Sequence, residues 1–158
     1  MRKVHGIALA ALLAGVGLFP GMGATSMVRL SMEQLSRGAE TIVLGTVTNQ
    51  VSAWNDQHTS IYTDVTVAVE EAIKGSPGEA VTFRVTGGVV GDMGMRTSVD
   101  PVFKDGERVI VLLHTEDSTA RVLGQEQGKF TVSNGMVTHR GQAVPLADFI
   151  NAIRVASR

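Results

Sequence analysis

The sequence predicts a mainly β domain: a small antiparallel barrel or sandwich of five to seven strands, with a short N-terminal helix and a C-terminal helix packed on it. Apolar and polar residues alternate with a period of two over 61–69 and again over 81–86, the pattern of strands that bury one face. Turn residues at 75–78 separate the two runs. A barrel is favoured over a sandwich because closure removes the exposed edge strands that promote aggregation.

Residues 1–26 have the organisation of a secretory signal peptide. A positively charged head precedes an uncharged apolar run over 7–19, and small residues at 24–26 suit a signal peptidase. The apolar run is short for the ~30 Å hydrocarbon core of a membrane, which favours cleavage over an uncleaved anchor. We therefore expect residues 27–158 to form a single β-barrel domain that is secreted or periplasmic and has no membrane contact after cleavage.

The amino-acid composition excludes some classes of molecule as binding partners of the domain. The leader carries two basic and no acidic residues, so its removal leaves 12 basic against 15 acidic residues and changes the formal net charge from −1 to −3. Aromatic residues make up 4% of the chain, and a mildly acidic domain with few aromatic side chains is not suited to nucleic acid. The chain has no cysteine, which excludes disulfides, thiolate metal sites and a cysteine nucleophile.

Local signals place the first two elements of the domain. Ser31 and Gln34 form a capping box that predicts a helix over 31–37, which Gly38 can close in a left-handed conformation. The β-branched stretch 41–53 begins with a continuous apolar patch. It is therefore predicted to be a strand that is covered on both faces at its start.

The remaining strands and the C-terminal helix follow from turn signals and periodicity. Asn134-Gly135 is the strongest short hairpin signal in the chain. Pro145 is expected to open a helix over 145–156, whose apolar residues recur at the spacing of one buried stripe. Further strands are predicted over 60–74, 81–86, 109–113, 119–123, 129–133 and 136–139.

A glycine-rich stretch is the best candidate for a binding site. Residues 87–106 are predicted to be a long, ordered or semi-ordered excursion, since four glycines fall within 87–94. Their amides can form an anion-binding nest that lets a ligand approach the main chain; the alternative is that the glycines supply bulges and close packing. The loop 54–59 is a second candidate contact, flanked by two aromatic residues that form a stacking surface or cover one end of the barrel. The candidate partner-binding residues are Gly88, Gly91, Asp92, Met93, Gly94, Met95, Trp54 and Tyr62.

Patterns of catalytic and metal-binding residues are weak. His58, His114 and His139 lack the spacing of metal ligands, so neither a metal ion nor another cofactor is predicted. No Gly-x-Ser-x-Gly elbow is present. The carboxylates suited to acid–base work lie beside turn residues, where capping of backbone amides is the expected role; they are Asp92, Asp100 and Glu107. No catalytic residue is assigned, and the chain is predicted not to be an enzyme.

With the strands placed, the layout of residues 31–156 resembles the netrin-like domain, the OB-type barrel of tissue inhibitors of metalloproteases. The similarity rests on the order of the segments TIVLGTV (41–47), IYTDVTVAVEEAIKG (61–75), AVTFRVTGG (80–88) and ERVIVLL (107–113) between two terminal helices. This resemblance implies an OB-like barrel. Those inhibitors act through an N-terminal cysteine, which this chain lacks, so the resemblance implies no inhibitory residue. The glycine-rich stretch and the strand after it also resemble secreted bacterial domains of unassigned role.

These observations favour an exported, non-catalytic β-barrel that binds an exported protein or a small ligand through its glycine-rich loop. Inhibition of an exported protease is the sharper version that the fold resemblance suggests. Two alternatives stay open. One is a structural component of the envelope or of an extracellular assembly. The other is a small secreted hydrolase, which would need His114 or His139 beside a carboxylate and a serine.

Overall fold

The structure of the protein is a computed structural model that describes residues 28–158. The predicted signal peptide at 1–26 lies outside the described residues. The described part is mainly β with two α-helices, which confirms the coarse fold class. None of the helices in this part is long and apolar enough to cross a membrane.

The described residues form more strands than the five to seven predicted. The α-helices are Met32–Gly38 (α1) and Leu146–Ala156 (α2), and Gln125–Gly128 is a 3₁₀-helix. The strands are Thr41–Trp54 (β1), Ile61–Lys74 (β2), Ala80–Thr86 (β3), Gly88–Val90 (β4), Met93–Met95 (β5), Arg108–Glu116 (β6), Thr119–Val122 (β7), Lys129–Ser133 (β8), Met136–His139 (β9) and Gln142–Pro145 (β10). The predicted strands all form. The additional strands β4, β5 and β10 contain glycine or proline, which are poor strand formers. Their sequences therefore do not predict strand structure.

The main sheet is mixed and not wholly antiparallel. Its eight strands lie in the order β1-β2-β3-β7-β6-β8-β9-β10, and β1 also pairs with β6. Most neighbours are antiparallel, but β3 and β7 are parallel, with Arg84 opposite Arg121. The prediction of an antiparallel architecture is therefore wrong at this pair. The long connection from β3 to β6 lets the chain return to β3 in the same direction, as a hairpin cannot.

Two apolar cores lie on the two faces of β1 and β6. Ile42 and Leu44 belong to the core that also contains buried residues of α1 and α2. Val43 and Val47 belong to the second core, together with buried residues of β2 and β3. The start of β1 is buried on both faces, as its continuous apolar patch predicts.

The helix ends agree with the sequence in part. Ser31 and Gln34 form the predicted capping box, with Gln34 N donating to Ser31 Oγ at 3.1 Å and Ser31 N donating to Gln34 Oε1 at 2.8 Å. The prediction for Gly38 is wrong, because Gly38 is the last residue of α1 and the cap after it is extended. An added Cβ at Gly38 would lie 3.1 Å from Leu123 Cδ2, so close packing explains this glycine. Pro145 ends β10 and occupies the N-cap position of α2 without a side-chain capping bond, so α2 begins at Leu146, one residue later than predicted.

Candidate functional site

The glycine-rich stretch forms a β-hairpin, β4–β5, whose base is packed against the main sheet. Thr63 Oγ1 donates to the Gly87 carbonyl at 2.7 Å and lies 2.8 Å from Ser52 Oγ. Gly88 has φ 143°, and an added Cβ there would lie 2.3 Å from Thr63 Oγ1 and 2.4 Å from Ser52 Oγ. Close packing therefore requires glycine at the base of the hairpin, as one of the two sequence interpretations expects.

The tip of the hairpin points into solvent and carries apolar side chains. Val89 is 67% exposed and Met93 is 59% exposed. Gly91 has φ 59° and an added Cβ would meet nothing within 4 Å, so it serves the turn. Asp92 is exposed beside it. The predicted contact residues of this stretch thus divide into a packed base and an exposed tip.

The outer edge of the hairpin is formed by β5. The hairpin is a separate two-stranded sheet in which Val90 pairs with Met93 and Val89 with Gly94. Strand β4 contacts β1 and β2. Strand β5 pairs with β4 and with no other strand of residues 28–158. Met95, at the end of β5, lines a small cavity at the base of the hairpin.

Trp54 and Tyr62 do not form a common surface. The β1–β2 register places Trp54 opposite Ile61 and Tyr62 opposite Ala53. Because neighbouring residues of a strand point to opposite faces, the two rings lie on opposite sides of this strand pair. The Trp54 ring stacks on His58 with centroids 6.1 Å apart. The predicted pairing of these aromatic side chains is therefore wrong, and the period of the strand is the reason.

Tyr62 lies instead in a polar pocket that sequence reasoning missed. Asp64, Arg84, Arg121 and His114 are direct neighbours across β2, β3, β7 and β6. Directly opposed residues share one face of a sheet, so these side chains form one polar row. The pocket above the row has a volume of about 440 Å³. Its members are far apart in sequence, and the parallel β3–β7 pair that joins them carries no local signal.

Ion pairs and the Tyr62 ring hold this row. Arg84 donates to Asp64 through Nε at 2.7 Å and Nη2 at 2.9 Å. That hydrogen bond lowers the pKa of Asp64 below its ordinary value of 3.8, against the opposing effect of burial. Arg121 Nε lies 3.1 Å from Glu116 Oε2 without the alignment of a hydrogen bond. Each guanidinium carbon is 5.8 Å from the centroid of the Tyr62 ring, within the range of a cation–π contact.

The pocket places His114 with carboxylates but not with a serine. Asp100 and Glu116 line the same pocket as His114. Of the described residues that line it, none is a serine, and the same holds for the pocket that His139 lines. The serine, histidine and carboxylate arrangement is therefore not formed at either histidine. A histidine that lines an open pocket can still activate a water molecule.

The other sequence-derived carboxylate candidates have structural contacts. Glu107 accepts from Lys129 Nζ at 2.8 and 2.9 Å and from Lys104 N at 3.1 Å. Asp100 Oδ2 accepts from Thr97 Oγ1 at 2.9 Å. Glu107 thus does bond a backbone amide, as expected for a carboxylate beside a turn. Within residues 28–158, no group of three or more His, Cys, Asp or Glu side chains is arranged to hold a metal ion.

Comparisons with known proteins find two relatives, both named carbon disulfide hydrolase. The protein from Acidianus sp. (strain A1-3) is 30% identical over 95 residues, which cover 60% of this chain and 45% of the relative. The protein from Saccharolobus solfataricus is 34% identical over 95 residues, which cover 58% of this chain and 47% of the relative. This chain spans about half the length of the curated relatives it matches. No family model matches the chain, and no solved structure matches it.

The relatives overturn one expectation from the sequence. The prediction that the chain is not an enzyme is contradicted, because both relatives carry the name of a hydrolase. The expectation rested on the absence of recognised catalytic spacings. Such spacings find residues that are close in sequence, whereas strand pairing brings His114, Arg84 and Arg121 together from distant positions.

Proposed function

We propose that the chain is an exported β-domain that binds an extended segment of a partner protein through the β4–β5 hairpin. The observation that carries this proposal is the hairpin itself: a two-stranded sheet apart from the main sheet, with an exposed apolar tip. An exposed strand edge can take an additional strand through main-chain hydrogen bonds, with side-chain contacts supplying specificity. Strand β5 offers such an edge, and Val89 and Met93 offer the apolar contacts.

A firmly anchored hairpin suits binding because little ordering is needed when the partner arrives. Gly88 fits against Ser52 and Thr63 without room for a side chain. The Gly87 carbonyl accepts from Thr63 at the same place. These contacts support a hairpin that keeps its orientation on the sheet while its tip remains accessible.

The scaffold in this proposal is an OB-type barrel of netrin-like layout. Support comes from the ring of strand pairings β1-β2-β3-β7-β6, which returns to β1 through the β1–β6 pair. A second support is the core enclosed by this ring, which contains Val65, Phe83 and Val111. Five strands connected in a closed Greek-key order are the arrangement of an OB-type barrel.

Export is part of the same proposal. The positively charged head, the apolar run and the small residues at the expected cleavage site within 1–26 support a secretory signal. The partner would then be an exported protein, an exported protease among the candidates. Because the domain has no cysteine, it cannot form disulfides, and its apolar cores and ion pairs must stabilise the fold.

A capture experiment tests the hairpin. The full chain, purified from an exporting host, is used as bait against culture supernatant and envelope extract of its source. A second bait has 88–95 replaced by a neutral linker, a third carries Val89→Ser with Met93→Ser, and a control carries Val155→Ser, an exposed apolar position on α2. We expect one partner to be retained by the intact chain and the control, and reduced about ten-fold or more with both hairpin variants.

Equal capture by all four baits would contradict the proposal. So would an intact chain that captures nothing and runs as a higher oligomer, since that behaviour belongs to a structural component of an assembly. Circular dichroism of each bait establishes that the variants are folded.

Hydrolysis of a small electrophile is a second candidate function. The names of the two relatives favour it, and so does His114 with Asp100 and Glu116 in one pocket. For carbon disulfide, a water oxygen would attack the carbon while His114 takes a proton from the water. The electrons of one C=S bond move to sulfur, where Arg84 and Arg121 favour the negative charge. The C–S bond of the adduct then breaks as its C–O bond becomes double, the hydroxyl proton goes to the departing sulfur, and His114 returns its proton to the released hydrosulfide. Two such rounds convert one carbon disulfide and two waters into one carbon dioxide and two hydrogen sulfide molecules.

Release of hydrogen sulfide from carbon disulfide tests the second candidate. We expect the purified chain to release it faster than a buffer blank and His114→Gln to lower the rate about 10²-fold or more, because general base catalysis is lost. His58→Gln is the matched control, since His58 lies in an exposed loop. A wild-type rate equal to the blank, or equal rates for the two variants, would contradict this candidate.

A further inference from the structure

A second pocket shares no lining residue with the hairpin or with the His114 pocket. It is formed by the start of the described chain, the 3₁₀-helix, the start of β8 and the turn after β9. Its volume is about 540 Å³. Small-molecule sites occupy about 300–1,000 Å³ and combine an apolar lining with a few polar groups.

The floor of this pocket is apolar. It is formed by Leu30, Met32, Leu35 and Phe130. Leu35 and Phe130 are buried in the core next to the helices, and Leu30 and Met32 pack against that core. Leu30 and Met32 are only half-buried. A ligand on this floor would cover their remaining apolar surface, which favours an apolar chain or ring.

The rim of the pocket carries an excess of positive charge. Arg29 and Arg140 line it, against one carboxylate, Glu126. Neither arginine forms an ion pair with the residues that the structure describes. Lys129 also lines the pocket, but its ammonium is engaged by Glu107. The two arginines are therefore the groups available to an anionic ligand.

His139 adds a neutral polar group at the boundary between floor and rim. Its ring packs against Phe130 and Phe149, with centroids 5.6 and 5.7 Å away. Burial, and secondarily the positive charge of Arg140, lower the pKa of His139 below its ordinary value of 6.5. A neutral imidazole at this position can donate one hydrogen bond without adding a fixed charge.

The pocket wall is held in place without a ligand. Gln127 accepts from Leu30 N at 2.8 Å through Oε1 and donates to the Val28 carbonyl at 3.0 Å through Nε2. Gly124 has φ 67°, and an added Cβ there would lie 3.0 Å from Leu35 and 3.1 Å from Leu30. These contacts fix residues 28–30 as a wall, so little ordering is left for a ligand to bring about.

We propose that this pocket binds a monocarboxylic acid with an unbranched apolar chain. The chain lies on the Leu30, Met32, Leu35 and Phe130 floor, and the carboxylate reaches the guanidinium of Arg140, while Arg29 adds to the positive charge of the rim. An apolar floor beside a cationic rim distinguishes such an acid from an alcohol of the same length or from an alkyl cation. The proposal is independent of the hairpin and of the His114 pocket.

Titration calorimetry with decanoate tests this site, and decanol and decyltrimethylammonium serve as the uncharged and cationic probes. We expect saturable binding of decanoate below its micelle concentration. We expect Arg140→Gln to weaken decanoate about ten-fold or more and to leave decanol unchanged. Met32→Gln should weaken both probes. Arg37→Gln, an exposed arginine of α1 outside the pocket, is the matched control and should bind decanoate as the wild type does.

Several outcomes would overturn the proposal. One is a folded wild-type chain that shows no saturable decanoate binding. A second is equal affinity for decanoate and decyltrimethylammonium, since the rim would then contribute no charge selection. A third is Arg140→Gln and Arg37→Gln weakening decanoate equally. A fourth is a dimer in solution that buries Arg140, since a second copy of the chain would then occupy the pocket.

Discussion

Replacement of Glu107 by alanine is expected to lower the free energy of unfolding by about 3–5 kcal/mol, the usual cost of removing one partner of a buried ion pair. The Lys129 and Glu107 side chains are only 12% and 13% exposed. Without Glu107, the Lys129 ammonium would keep the Val102 carbonyl and the face of the Phe103 ring as partners. Neither supplies a countercharge, so the loss falls on an ammonium group that water cannot reach freely.

Urea unfolding followed by circular dichroism measures this effect, with Glu33→Ala as the control. Glu33 pairs with Arg37 on the surface of α1, where both side chains are well exposed. An exposed pair of this kind contributes little, so the control should change the free energy of unfolding by about 0.5 kcal/mol or less. Similar losses for the two variants would contradict the importance of burial at Glu107.

The Glu107 pair also predicts a pH dependence. Burial raises the pKa of Glu107, but hydrogen bonds from Lys129 and Thr131, together with the Lys129 charge, outweigh it and hold the pKa below its ordinary value of 4.5. A lowered pKa stabilises the fold above the unfolded value and loses that contribution as pH falls through the folded value. The stability difference between wild type and Glu107→Ala should therefore shrink below about pH 4.5. A difference that stays constant into acid would contradict this assignment.

Replacement of Phe103 by alanine should cost a similar amount, about 3–5 kcal/mol, through the cavity it leaves. Phe103 is buried in the core that contains Phe83, and the two rings meet edge to face with centroids 5.2 Å apart. Phe103 belongs to the irregular segment between β5 and β6. Its side chain therefore anchors the long 87–106 segment, which includes the hairpin, to the apolar core.

Val102→Ala is the matched control for Phe103→Ala, because Val102 is the preceding residue and is exposed. It should change the free energy of unfolding by about 0.5 kcal/mol or less. The Phe103→Ala and Glu107→Ala effects should not be additive, since both residues contact Lys129. Additive losses in the double variant would show that the ring and the ion pair act independently.

Features that depend on neighbouring residues could be predicted from the sequence. The alternation in 61–69 and 81–86 predicts the β2–β3 hairpin, and its register agrees with the buried face. The capping box at Ser31 and the apolar stripe of α2 are equally local. Each of these patterns has a physical reason that acts within a few residues, so the tertiary structure does not alter it.

Features that depend on strand pairing could not be predicted from the sequence. The polar row joins Asp64, Arg84, Arg121 and His114 only because β7 returns beside β3 in parallel. Gly38 shows the same limit in a single residue: its position suggests a left-handed cap, whereas contact with Leu123 from a distant element explains it. The glycines of 87–94 were compatible with a nest or with close packing, and only the contact of Gly88 with β1 and β2 distinguishes a packed base from an exposed tip.

Photo-crosslinking from the hairpin tests the central claim, that an exported partner contacts β4–β5, most directly. A photoreactive side chain is placed at Met93 and, in a separate chain, at Val155, both exposed positions. Each chain is exported by its source cells and irradiated there. We expect one crosslinked species from position 93, with the crosslink mapping to a single short segment of the partner, and none of that species from position 155. No crosslink from position 93, or the same species from both positions, would contradict the claim.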